Sequence, residues 1–169
     1  TKPMLRITSF CGPDVAVIAV YSSGLSMSSS PTAIPFFIET FSSGGPSMHN
    51  PGTFPQRFIA TTSGRYEVHT SAAWAGHGGA GTRRLDMRVN GTAFYNGTLL
   101  TCSGVVPANN VVGNASWIVN LAAGEYIEVL TAAPSGTAGT LVAADVSFAL
   151  LASGPQGATG AVGPTGPVG

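Results

Sequence analysis

Residues 65–74 read RYEVHTSAAW, and residues 141–151 read LVAADVSFALL. In the first stretch Tyr66, Val68, Ala72 and Trp74 share one face while Arg65, Glu67, His69 and Ser71 share the other. That two-residue period is a β-strand with one packed side and one wet side. In the second stretch both sides are largely apolar, with Val142, Val146, Phe148 and Leu150 on one and Leu141, Ala143, Ala149 and Leu151 on the other. The segment SWIVNL at 116–121 behaves in the same way. A strand apolar on both faces in a small domain needs two packing partners, and the natural second one is a neighbouring copy of the chain. Trp117, Val119, Leu121, Val146, Phe148 and Leu150 are therefore candidates for the core and for contact between subunits in a trimer.

Outward from these stretches the pattern repeats. Apolar residues come in short β-branched and aromatic runs, never at helical spacing for more than two turns, and Gly, Pro, Asn and Ser clusters separate them. The runs predict strands at Val15–Tyr21, Ile34–Phe41, Phe58–Thr62, Arg65–Trp74, Arg84–Val89, Thr98–Val106, Ala115–Leu121, Tyr126–Ala132 and Leu141–Leu151. So many strands at this spacing predict an all-β sandwich or barrel with antiparallel strands. At 169 residues the chain has room for one such domain.

The last 16 residues follow a different rule: Gly154, Gly157, Gly160, Gly163, Gly166 and Gly169 stand at every third place without exception. Glycine in that register is what a triple helix requires, because only a hydrogen fits where three polyproline-like chains meet at the axis. These six are therefore the expected triple-helix glycines. Pro155, Pro164 and Pro167 occupy the X position, where their fixed φ suits that conformation. The expected organisation is an N-terminal segment over 1–13, a β head over 14–153 and a collagen-like stalk over 154–169. The Y positions hold Gln, Thr, Val, Thr and Val and never Pro, a composition that suits a collagen made without prolyl hydroxylation, as in bacteria and their viruses.

Several function classes fall away on composition. Charged residues make up 8% of the chain, and seven basic side chains balance seven acidic ones, so no long-range field draws nucleic acid or an anionic membrane. Arg83, Arg84 and Arg88 with Asp86 between them read as the solvated face of a strand. No apolar run approaches the ~20 residues of a membrane helix, and the start TKPMLRITSF predicts no export signal. Cys11 and Cys102 are far apart and read as buried free thiols, with a disulfide left open. His49, His69 and His77 have no second histidine or carboxylate at ligand spacing, and there is no nucleophile elbow, carboxylate pair or phosphate loop. No catalytic residue, metal or cofactor is expected. The sequons at Asn90, Asn96 and Asn114 read as turns between strands. Recognition would fall on loops at the end away from the stalk, for which His49, Asn50, His77, Asn109 and Asn110 are the candidates.

The head resembles the C1q family. TFPQRFIATTSGRYEVHTSAAW is similar to that family's central motif, with Phe58, Gly64 and Tyr66 at the matching places. IPFFIETFSS resembles its earlier strand, RRLDMRVNGT the strand that ends in an Asn-Gly turn, and DVSFALL the closing strand. ASWIVNLAAGEYIEV is similar to another segment through Leu121, Gly124, Glu125, Ile127 and Val129. The resemblance spans residues 14–152 and implies a ten-stranded C1q/TNF-like jelly roll that forms a homotrimer. In the familiar members the collagen precedes the head, whereas here it follows. With the unhydroxylated repeat and the neutral Ser/Thr/Gly-rich composition, that order points to a structural or adhesive subunit of a bacteriophage particle. The expected partners are two further copies, other virion proteins and a host surface glycan or receptor. A bacterial cell-surface or spore-coat filament and a secreted recognition ligand are the alternatives.

Overall fold

The computed structural model describes residues 16–43, 47–75, 81–102, 111–133 and 139–153. The expected triple-helix glycines Gly154, Gly157, Gly160, Gly163, Gly166 and Gly169 lie outside the described residues, with the rest of the stalk over 154–169. So do Cys11, His77, Asn109, Asn110 and the thiol of Cys102. The described strands are β1 (Ala16–Tyr21), β2 (Leu25–Ser26), β3 (Thr32–Ala33), β4 (Ile38–Ser43), β5 (His49–Asn50), β6 (Phe54–Ile59), β7 (Gly64–Trp74), β8 (Gly81–Val89), β9 (Ala93–Cys102), β10 (Val111–Leu121), β11 (Tyr126–Ala132) and β12 (Thr140–Ser153). They form two antiparallel sheets. The first runs β10-β7-β12-β1-β4, with β2 beside the start of β12, and the second runs β5-β6-β11-β8-β9, with β3 beside β11.

The alternation read in RYEVHTSAAW is the packing pattern of β7: Tyr66, Val68, Thr70, Ala72 and Trp74 are buried and Arg65 and His69 are exposed. Inside the sandwich, aromatic rings join the sheets. Phe148 of β12 stacks on Tyr66 of β7 at 4.6 Å between centroids and tilts against Phe58 of β6 at 6.1 Å. Phe36 meets Phe58 edge-on at 5.5 Å. Each such side chain buried from water contributes about 1.5–3 kcal/mol. Two polar atoms brought in with these rings are satisfied: the Trp74 indole donates to Thr131 Oγ1 of the facing sheet at 2.9 Å, and the Tyr66 hydroxyl donates to the Thr62 carbonyl at 2.7 Å.

Several readings need correction. Trp117, Val119, Leu121, Val146, Phe148 and Leu150 all point into the chain's own core, so the residues of opposite parity are the ones that face outward. A register break between Leu141 and Ala143 reverses the alternation at the start of β12, which puts Leu141 inside and leaves Val142 half-buried. Arg83 is fully buried rather than solvated, because it shares the inward side of β8 with Leu85 and Met87; it donates to the Thr82 carbonyl at 2.9 Å. The turn at Asn90-Gly91 is present, with φ of 49° and 75° and Thr92 N–H bonded to Val89 O at 3.0 Å. Asn96-Gly97 is no turn but lies within β9, which starts five residues before Thr98, and Asn114 lies within β10.

Gly97 explains why that dipeptide misled. Opposite it the β8–β9 register slips, Arg84 pairing with Leu99 but Asp86 with Asn96, so β9 holds one extra residue. A Cβ at Gly97 would stand 2.2 Å from the Leu85 carbonyl oxygen and 2.5 Å from Trp117 of the facing sheet. The glycine serves close approach, not a turn. Gly97→Ala should therefore cost about 1–3 kcal/mol in denaturant unfolding, the cost of overpacking. Gly52→Ala, where the new methyl meets only Asn50 Oδ1 at 3.6 Å, should change stability by less than ~0.5 kcal/mol.

Candidate functional site

Two surfaces differ from an ordinary solvated sheet. The first is the outward face of the β10-β7-β12-β1-β4 sheet. Direct cross-strand partners place Asn114, Ser71, Asp145, Val20 and Ile38 in one row across all five strands, and Ser116, His69, Ser147, Ile18 and Phe41 in the next. A third row holds Ile118, Glu67, Ala149 and Ala16. The middle of the face is small and half-buried. Its two edges carry large exposed side chains: Val112 and Ile118 are 59% and 57% exposed on β10, and Ile38 and Phe41 are 50% and 49% exposed on β4.

The strand β10 adds a second anomaly. It is an edge strand of 11 residues, VVGNASWIVNL, paired with β7 in unbroken register and holding neither charge nor proline. Edges left so straight and neutral invite further pairing, and proteins usually blunt them.

Titratable groups on this face are few. His69 Nδ1 lies 2.8 Å from Ser116 Oγ. Burial pushes the Asp145 carboxyl above the ordinary aspartate range; hydrogen bonds from the Ser71 side chain and backbone and the nearby His69 oppose this. Being raised in the folded state, the group contributes stability at acid pH that is lost as pH rises through its folded value.

The second surface is the outward face of the other sheet, where charges are enclosed. Glu128 is 2% exposed and lies between two arginines, with Arg88 Nε at 2.5 Å and Arg57 Nε at 3.5 Å. The Arg57 guanidinium sits over the rings of Phe54, at 4.7 Å, and Tyr126, at 4.4 Å. Asp86, fully buried, accepts from Arg84 Nε at 2.5 Å and from the Gly97 amide at 3.4 Å. Each carboxylate already has its counter-charge, so the cluster reads as sheet cement. The clue to it in the sequence was the spacing of Arg84, Asp86 and Arg88; the partner Glu128 comes from forty residues away.

The loop residues proposed for recognition fare unevenly. His49 is 1% exposed: its ring stacks on Phe58 at 4.5 Å, Nε2 meets the Pro55 carbonyl at 3.0 Å, and Nδ1 lies 3.6 Å from Glu39. It joins the two sheets at their β4 and β5 edges and is not presented to a ligand, because Phe58 offers it a packed apolar face. Asn50 is exposed but is used by its own turn, accepting from the Gly52 and Thr53 amides at 3.1 Å each. His77, Asn109 and Asn110 lie outside the described residues. Among the described residues no group of three or more His, Cys, Asp or Glu could hold a metal ion.

The end where β12 finishes is the braced one. Ala16 pairs with Ala149 and Ser153 with Gly64, so β1 enters and β12 leaves on the same side of the sheet centre. There Glu125 accepts from the Ala122 amide at 2.7 Å and from Asn90 Nδ2 at 2.8 Å, while Asn90 Oδ1 accepts from the Tyr126 amide at 3.0 Å.

This arrangement of two sheets has counterparts among solved structures. The globular domain of zebrafish complement 1qA protein superposes with a TM-score of 0.57 at 13% identity, over 83% of this chain and 99% of that one. The described residues have a C1q/TNF-like jelly-roll fold. The crystal structure of murine APRIL at pH 5.0 matches equally well, with a TM-score of 0.57 at 12% identity over 82% of this chain and all of that one. No family model matches the chain, and no curated protein does. Within the jelly roll, Glu128→Gln should cost about 2 kcal/mol in denaturant unfolding, less than for a fully enclosed ion pair because both arginines keep some access to water. Glu67→Gln on the opposite sheet should change stability by less than ~0.5 kcal/mol.

Proposed function

We propose that the chain is a non-enzymatic, homotrimeric structural subunit whose jelly-roll head gathers three C-termini at the start of a collagen-like stalk. The observation that carries this reading is the outward face of β12 and its neighbours. Small side chains line the centre of that face, half-exposed apolar ones line both edges, and the strand that runs through its middle ends one residue before Gly154. Exposed apolar area of this kind is normally covered by a partner. A threefold axis near β12 would cover it with two copies of the chain and deliver three Gly154 residues to one place. Gly154, Gly157, Gly160, Gly163, Gly166 and Gly169 stand in the spacing a triple helix requires, and the head would set the register in which three chains enter it. The C1q/TNF-like fold supports self-association of this kind.

The setting that best fits the chain is a bacteriophage particle, as a minor tail, fibre or capsid-decorating protein. Support comes from Y positions without proline, a stalk that follows its head, and a surface with few charges. Three copies of a weak contact surface at the far end, for instance toward a host glycan, would gain strength by avidity.

Ile118→Arg should leave the strand content of the head intact by circular dichroism but reduce its mass in sedimentation to that of one chain. A variant that stays trimeric would remove this face from the interface. Gly160→Ser should abolish the polyproline-like signal of the stalk and leave the head trimeric. Peptides of the chain should be found by mass spectrometry in purified phage particles, and their absence from every particle fraction would overturn the virion setting.

A further inference from the structure

The ion pairs of the second sheet leave one cation over. Arg57, Arg84 and Arg88 face the two enclosed carboxylates Asp86 and Glu128. Arg84 Nε donates to Asp86 and Arg88 Nε to Glu128, each at 2.5 Å, so both negative charges are met without Arg57. Arg57 stands on the other side of Glu128, on β6, with its Nε 3.5 Å from Oε1 and no hydrogen bond formed. That Nε is buried, while the side chain as a whole is 32% exposed. Among the described residues the terminal nitrogens of Arg57 have no hydrogen-bond partner either.

The guanidinium is nevertheless held in place. The ring centres of Phe54 and Tyr126 lie 4.7 and 4.4 Å from its Cζ, and Glu128 faces its Nε. Rotamer freedom that a long side chain usually loses on binding a ligand is here already lost to packing. What stays open is the edge formed by the two terminal nitrogens, a planar fork that matches the two oxygens of a carboxylate. Phe54 is exposed beside it, and Tyr126 half-buried. A fixed polar group next to an open aromatic face is the usual make-up of a small-molecule subsite.

We propose that Arg57, Phe54 and Tyr126 form a binding site for a carboxylated sugar of an acidic polysaccharide, the carboxylate taken by the Arg57 fork and the sugar ring laid against Phe54. Because Arg88 neutralises Glu128, the carboxylate meets a net positive group. An acidic peptide side chain has the carboxylate but no ring to cover Phe54; a uronic acid has both. The site lies on the flank of the head beside the braced end, where the Tyr126 amide meets Asn90, on the sheet opposite the proposed subunit face. It is complete within one chain and does not rest on the trimer reading, although three copies would hold a repeating polysaccharide by avidity.

The test is an NMR titration of the full chain with tri-galacturonic acid, followed through the ring signals of Phe54 and Tyr126. The acid should shift both. Its methyl ester keeps the sugar rings and loses the charge, and should bind at least about tenfold more weakly, as expected when a charge-assisted hydrogen bond is removed. Arg57→Lys keeps the charge but not the fork, and leaves Glu128 paired with Arg88; it should weaken binding of the acid by a similar factor with its strand content by circular dichroism unchanged. Arg84→Lys should bind as wild type does. A wild-type chain that does not bind the acid, or binds the ester as tightly, would overturn the proposal. So would an Arg57→Lys variant with wild-type affinity, or tri-glutamate bound as tightly as the acid, which would make the site one for acidic peptides.

Discussion

β12 has to satisfy two environments at once. It is the middle strand of its sheet, so its inward residues Val146, Phe148 and Leu150 must fill the sandwich, and Phe148 does so through rings on two other strands. Its outward residues are small, which leaves room for the proposed partner. They are Asp145, Ser147 and Ala149. The proposed threefold assembly and the proposed stalk both depend on this one strand with two faces.

The remainder of the head divides the work between its sheets. The second sheet is closed by charge: Glu128 and Asp86 are enclosed with Arg57, Arg84 and Arg88 held against them, which covers the outward side without a partner. The first sheet has no such cover. Gly97 brings the edge of the second sheet onto Trp117 of the first, and His49 joins the sheets along the other edge. A sandwich fastened at both edges and closed by ion pairs on one outer side leaves its other outer side for the proposed association.

The fold was legible where the two-residue period is strict. RYEVHTSAAW and DVSFALL show their buried faces directly, and Asn90-Gly91 announces its turn through a φ that few other residues adopt. Legibility failed where a local motif served a distant contact. Asn96-Gly97 looks like a second hairpin turn, but its glycine answers to the Leu85 carbonyl and to Trp117. Arg83 reads as surface because arginine usually is, and only the inward parity of β8 buries it. His49 sits between Gly- and Pro-rich segments that suggest a loop, and its burial depends on Phe58, which neither segment contains. The two-sided apolar strands hid which face is inward: the chain's own core takes Trp117, Phe148 and Leu150, leaving Ile118, Ile38 and Phe41 for the outside.

In the proposed assembly this face of the head, and not the stalk, holds three chains together. This is tested most directly by the mass of the chain in solution, measured by light scattering before and after collagenase removes the Gly-X-Y tail. The intact chain should show a mass of three times 17.0 kDa, and the head should stay trimeric after digestion. A head that falls to single chains when the tail is cut would contradict it and transfer the assembly to the stalk.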